Sequence, residues 1–97
     1  MIENLEELFD KHDDEYLEFE RIQNKLSSRP DIHAFILLNS LVQSDSRDMV
    51  SAAEHDEIFL DVDPEELAQV ATEEQIVDLI RCGVRYSAEH DSLAMFV

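Results

Sequence analysis

The chain has 97 residues, of which 44% are hydrophobic, so it is long enough for one domain and too apolar for an intrinsically disordered chain. Asp and Glu number 24 against 7 Lys and Arg, which gives a formal net charge of -17. This charge argues against nucleic acids and anionic membranes as direct partners, because both would be repelled, and it favours a basic protein. We treat residues 1–97 as a single domain.

An apolar seam with steps of three and four residues predicts one long amphipathic helix over residues 2–27. At ~1.5 Å per residue this helix would be roughly 38 Å long. A domain of this size is only about 30 Å across. The helix would therefore overhang its own domain or pair with a second copy, so we expect a homodimer. The residues predicted to lie in the dimer seam are Ile2, Leu5, Phe9, His12, Tyr16 and Phe19.

Residues 30–97 are predicted to form an α+β core. The apolar segment 30–42 predicts a central helix with Pro30 in its first turn. Alternating apolar residues at 58–62 then predict a half-buried strand. Two short helices are expected next, one capped by Asp63 and the other beginning with a capping box at Thr72.

Residues 84–88 and 93–97 are predicted to form a hairpin with a four-residue loop. The complete prediction is an α+β fold: a long N-terminal helix, a central apolar helix, and a small three-stranded, mainly antiparallel sheet with two short helices. Phe59 and Phe96 would share the sheet face away from Ile58. There they would be exposed for an interface, unless the long helix covers them.

Segment 54–78 contains ten acidic residues and neither Lys nor Arg. This pattern predicts an acidic docking face for a basic partner, in its sharpest form a nucleic-acid mimic with carboxylates in the places of phosphates. The alternative is a solvated face whose acids are explained by helix N-termini. The predicted partner-binding residues are Glu54, Asp56, Glu57, Asp61, Asp63, Glu65, Glu66, Glu73 and Glu74, with Glu6, Asp10, Asp13 and Asp14 of the first helix.

The tetrapeptide Ala-Glu-His-Asp occurs twice, at 53–56 and 88–91. Imidazole and carboxylate groups bind zinc, so two such turns brought together across a sheet would supply four ligands. The alternative is two polar turns of coincidental sequence, and on that basis we expect no metal and no other cofactor. The candidate metal ligands are His55, Asp56, His90 and Asp91.

The sequence contains none of the usual catalytic motifs. The single Gly excludes Gly-rich phosphate loops, and the single cysteine, Cys82, suits a buried structural role better than that of a nucleophile. We therefore expect a protein that is not an enzyme. The N-terminus lacks the features of a signal peptide, and one cysteine fits a reducing compartment, so we expect a cytoplasmic location.

From Glu54 onwards the string EHDEIFLDVDPEELAQVATEEQIVDLIRCGVRYSAEHDSLAMFV resembles a family of small uncharacterised acidic proteins of temperate phages and prophages. The resemblance covers about half of the chain and includes no catalytic motif. It implies the cytoplasm of a bacterial host and an accessory role during infection, in which such proteins bind a host factor or a defence protein.

Three functional hypotheses follow from the sequence. The first is a non-enzymatic protein that binds a basic host or phage protein through its acidic surface, as a nucleic-acid mimic or inhibitor. The second is a metal-binding protein or metal-dependent enzyme that uses the two Glu-His-Asp turns. The third is a purely structural dimerisation module.

Overall fold

The computed structural model describes residues 3–96 and shows four α-helices packed on one face of a four-stranded antiparallel sheet. Two short 3₁₀ turns, Asp13–Glu15 and Phe19–Arg21, follow the first helix. The elements are α1 (Leu5–Lys11), α2 (Pro30–Leu41), β1 (Val50–Glu54), β2 (Glu57–Leu60), α3 (Pro64–Val70), α4 (Glu73–Arg81), β3 (Arg85–Ser87) and β4 (Ser92–Phe96). The strand order is β1-β2-β4-β3, so β1 and β3 are the edge strands.

The prediction of one long helix over residues 2–27 is wrong, because α1 ends at Lys11. Beyond it the chain makes two 3₁₀ turns, and Leu17 adopts a left-handed φ of 65° that an α-helix cannot contain. The backbone N–H of Leu17 donates to the carbonyl of Ile80 at 3.2 Å, which holds this segment against α4. The helix-length argument for a homodimer therefore fails, and dimerisation itself stays a prediction.

The prediction of a three-stranded sheet is also wrong, because residues 50–54 form a fourth strand. All five residues of β1 are exposed, so the strand lacks the apolar alternation by which a half-buried strand is recognised. Its position comes from backbone pairing with β2, in which Val50 faces Leu60 and Glu54 faces Glu57. A tight turn with His55 at a φ of 55° joins the two strands.

The last turn of α4 sets the direction of the chain into β3. Gly83 has a φ of 98°, and its N–H donates to the carbonyl of Ile80 at 2.9 Å. The N–H of Val84 donates to the carbonyl of Leu79 at 3.0 Å, which completes a Schellman motif. A side chain at position 83 would be strained in this conformation and would also meet Leu17 Cδ2 at 3.0 Å.

The core lies between the helices and one face of the sheet. Residues Leu60 and Leu93 of the central strands β2 and β4 are buried there with Leu38 of α2 and Ile76 and Leu79 of α4. The opposite sheet face carries Glu57, Phe59, Ala94 and Phe96 by strand alternation. Within the described residues, none of the helices combines the length and the apolar character that crossing a membrane requires.

Candidate partner-binding groove

Most basic side chains are paired with acids of the same chain. Within residues 3–96, five of the seven bases form ion pairs, and Lys25 and Arg29 do not. These pairs engage six of the 24 acids: Glu15, Glu18, Asp48, Glu57, Glu73 and Asp78. The remaining 18 acids have no ion-pair partner among the described residues.

The largest group of ion pairs, which we call the charge-paired cluster, consists of Glu15, Glu18, Arg21, Asp78 and Arg81. Arg81 of α4 donates from Nε to Glu15 at 3.0 Å and from Nη1 to Asp78 at 3.1 Å. Arg21 donates to both oxygens of the Glu15 carboxylate, at 3.0 and 3.1 Å. Hydrogen bonds from Arg81 and then Arg21 hold the pKa of Glu15 below its usual value. The cluster thus fastens the two 3₁₀ turns to α4.

A second contact joins α1 to the start of α4. His12 Nε2 lies 2.7 Å from a carboxylate oxygen of Glu73, and Lys11 donates to the same oxygen at 3.2 Å. The hydrogen bonds from His12 and then Lys11 lower the pKa of Glu73. The imidazole that the sequence placed in a dimer seam therefore makes an intramolecular contact.

The other predicted seam residues also contact their own chain. Leu5 and Phe9 are buried in the core, and Tyr16 and Phe19 are half-buried against it. Phe19 packs edge-on against the ring of His33, with centroids 6.1 Å apart. Ile2 lies outside the described residues.

The acids of segment 54–78 do not form one base-free patch in space. Glu57 pairs with Arg85, and Glu73 pairs with Lys11, so bases distant in sequence reach the segment. Asp61 accepts a hydrogen bond from Ser44 at 2.7 Å, which is the main reason that its pKa is lowered.

The remaining predicted acids of the segment lie at helix starts and in one turn. Asp63 caps α3 by accepting from the N–H of Glu65 at 2.9 Å. The others are exposed, either in or beside the β1–β2 turn or in the first turns of α3 and α4: Glu54, Asp56, Glu65, Glu66 and Glu74. They are spread over several elements.

Two of the four predicted acids of the first helix, Asp10 and Asp13, line an apolar groove, which we call the acid-rimmed groove. Its volume is about 360 Å³. The buried side chains of Phe9, Ile80 and Val84 line it, and Asp10 and Asp13 stand at its edge, whereas Asp14 is exposed elsewhere. The groove lies where α1 packs against edge strand β3.

Three aromatic rings complete the lining of the acid-rimmed groove: Tyr16, Tyr86 and Phe96. The ring of Tyr86 lies 6.3 Å from that of Phe9, and Phe96 is 56% exposed. Arg85 is the one base of the lining, and it is engaged by an ion pair with Glu57 and by the Phe96 ring, 4.5 Å away.

A smaller acidic cleft of about 220 Å³ adjoins the groove, because Tyr86 lines both. Four acids line this acidic cleft, and none has an ion-pair partner within residues 3–96: Glu3 before α1, Glu6 of α1, Glu65 of α3 and Asp91 of the β3–β4 turn. The Tyr86 hydroxyl donates to Asp91 at 2.5 Å, and this hydrogen bond is the main cause that raises the Tyr86 pKa to about 12. The phenol is therefore neutral.

The sequence predicts several residues of this site but not that they form one surface. It predicts them as interface residues from three separate patterns: strand alternation for Phe96, the acidic face of the first helix for Glu6, Asp10 and Asp13, and the base-free segment 54–78 for Glu65. Tyr16 was placed in the dimer seam, and Tyr86 was not singled out. Nothing local in the sequence indicates that residues 6–13 and 84–96 share one groove.

Phe59, the other aromatic predicted on the outer sheet face, is 5% exposed. The long helix that was the expected alternative cover does not exist. Instead the ring of His90, from the β3–β4 turn, lies 4.5 Å from the Phe59 ring. Phe96 alone of the two aromatics is available to a partner.

The two Glu-His-Asp turns lie at opposite ends of the sheet. The β1–β2 turn with His55 is beside the pair Glu57–Phe96, and the β3–β4 turn with His90 is beside the pair Ser87–Ser92. Four residues of β4 separate these ends, on the order of 13 Å. Within residues 3–96 no three His, Cys, Asp or Glu side chains are grouped to hold a metal ion.

Cys82 is buried at the end of α4. Burial, together with the nearby Asp78 charge, raises its pKa to about 12, so the thiol stays protonated.

Comparison of the chain with protein-family models, with curated proteins and with solved structures gave no match.

Proposed function

We propose that the protein is a non-enzymatic binding module that recognises a basic protein through its acidic surface. One observation carries the proposal: the chain pairs most of its bases internally and leaves 18 acids without an ion-pair partner within residues 3–96. Such an excess destabilises a compact fold by self-repulsion. A basic partner would relieve that repulsion.

The chemistry of the excess also defines the partner. Unpaired carboxylates attract Lys and Arg and repel phosphate groups, so the partner is a protein with a basic surface. A basic host or phage protein whose own ligand is a nucleic acid fits this description. Binding would then compete with nucleic acid for the partner's basic site.

The proposal is tested by affinity purification from a bacterial lysate, followed by direct binding of each recovered protein in purified form. Binding should weaken steeply between roughly 0.05 and 0.5 M salt, because exposed charges are screened. A variant that removes five unpaired acids should lose the same partners: Glu6→Gln, Asp13→Asn, Glu54→Gln, Asp56→Asn and Glu66→Gln. Partners that bind this variant and the wild type equally well at both salt concentrations would refute the proposal.

A further inference from the structure

The acid-rimmed groove and the acidic cleft form a two-part surface with different chemistry in each part. The groove offers three buried apolar side chains and the exposed ring of Phe96. Among residues 3–96, four carboxylates and no Lys or Arg line the cleft. The two are continuous through Tyr86.

The volume of the groove suits an anchoring side chain. About 360 Å³ lies at the lower end of the range for ligand pockets, roughly 300–1,000 Å³. Partly exposed aromatic residues around buried apolar side chains are typical of the centre of protein interfaces. An aromatic or large aliphatic side chain would bury the exposed part of Phe96.

The carboxylates around the groove determine which ligand residues can lie next to that apolar side chain. Glu6 and Asp10 are four residues apart on α1, so both project from one side of the helix, one towards the cleft and one towards the groove. Their backbone positions are about 6 Å apart. A cation of the ligand in the cleft and an apolar anchor in the groove would therefore be separated by one turn of helix or two residues of strand.

We propose that this surface binds a peptide segment of the partner that places an aromatic or large aliphatic side chain in the acid-rimmed groove and a Lys or Arg in the acidic cleft. This inference rests on the proposed function and assigns it a site and a ligand pattern. Charge complementarity decides between this occupant and a second copy of the chain, since a second copy also carries a net charge of -17.

The experiment selects displayed random peptides of about twelve residues against the full chain and measures the affinity of the selected peptides by fluorescence anisotropy. The expected peptides carry Lys or Arg within four residues of an aromatic or large aliphatic residue. The double variant Glu6→Gln/Glu65→Gln, which removes two cleft carboxylates, and the single variant Phe96→Ser in the groove should each weaken binding by about tenfold or more. Circular dichroism spectra check that each variant is folded.

The matched control is the double variant Asp31→Asn/Asp45→Asn, with one position at the start of α2 and the other in the loop that follows α2. It removes the same charge from exposed positions that line neither the groove nor the cleft, and it should change affinity by less than about twofold. Peptides that need only basic residues, and that lose affinity equally in both double variants, would overturn the groove and leave the proposed function standing. Selected peptides without basic residues, whose binding is independent of salt, would overturn both.

Sedimentation of the free protein tests the competing occupant. The wild type and the Phe96→Ser variant should have the same oligomeric state at the concentrations used for peptide binding, because self-association should not use the groove. A dimer that the Phe96→Ser variant abolishes would overturn the proposal and identify a second copy as the occupant of the groove.

Discussion

The charge-paired cluster and the acid-rimmed groove with its cleft share no residue and use acids in opposite ways. In the cluster, Arg21 and Arg81 donate hydrogen bonds of 3.0–3.1 Å to Glu15 and Asp78, and Glu18 forms a looser ion pair with Arg21 at 3.9 Å. Glu15 and Arg81 are only 17% and 20% exposed. Within residues 3–96, six carboxylates and a single base line the groove and cleft, and that base is already engaged by Glu57. Net charge alone does not distinguish the two regions, but the pairing of each carboxylate does.

This difference assigns separate roles to the same residue type. Glu15 and Asp78 of the cluster stabilise the fold, because they accept charged hydrogen bonds that the unfolded chain would lose. Carboxylates at the groove repel one another and contribute nothing to the fold that another polar residue would not. Variants that remove charge should therefore affect stability oppositely in the two regions.

The largest effect is expected from Arg81→Gln, which leaves Glu15 and Asp78 without their shared guanidinium. A hydrogen bond to a charged group contributes about 2 kcal/mol to stability. We therefore expect this variant to lose about 2 kcal/mol in the free energy of unfolding. Urea denaturation at neutral pH measures it. The matched control, Arg29→Gln, removes the same charge from an exposed side chain that has no ion pair within residues 3–96, and it should have little effect. Equal losses in both variants would show that total charge, not pairing, sets the stability.

A smaller effect is expected from pH, through His33. This residue is 2% exposed, its Nδ1 accepts from the N–H of Leu26 at 2.9 Å, and its Nε2 has no partner among the described residues. Burial lowers its pKa from 6.5, opposed by the charge of Asp78 and aided by that of Lys25. Below pH 6.5 the unfolded chain therefore binds the proton more readily, so stability should fall as the pH falls through this range, by at most about 1.4 kcal/mol per pH unit.

His33→Asn keeps an acceptor for Leu26 and cannot titrate. Urea denaturation of both proteins at pH 7.5 and pH 5.5 should show the larger loss in the wild type. Identical losses would mean that His33 does not titrate differently in the folded state. Below about pH 4.5 both proteins should lose further stability, because Glu15 and Glu73 have lowered pKa values and lose their ion pairs on protonation.

The parts of the fold that could be predicted from the sequence are those set by residues close together in the chain. Asp63 and Thr72 cap α3 and α4 as the sequence indicated, because a capping interaction lies within one helical turn. The start of α2 at Pro30 and the turn at Gly83 are equally local. These local sequence features predict where α2, α3 and α4 begin and where α4 ends.

The N-terminal segment could not be predicted in the same way. Apolar residues three and four apart satisfy a continuous helix, but they also satisfy a chain that turns at Leu17 and packs Ile22 into the core. The contact that decides between these, from Leu17 to Ile80, joins residues 63 positions apart. The groove could not be predicted for the same reason, since its acids come from α1 and the 3₁₀ turn after it, whereas Tyr86 and Phe96 come from β3 and β4.

The smallest effect is the one that tests the comparison most directly. Asp10 lies in the last turn of α1, where the helix dipole disfavours an acid, and it is four residues from Glu6. Replacing Asp10 and Asp13 by Asn should therefore leave the free energy of unfolding unchanged or raise it by about 0.3 kcal/mol. The comparison variant, Glu15→Gln/Asp78→Asn, changes the net charge by the same amount and should destabilise the protein. Thermal denaturation at low salt measures both. A lower melting temperature for the Asp10/Asp13 variant would mean that the groove acids stabilise the fold, which contradicts the proposed difference between the two regions.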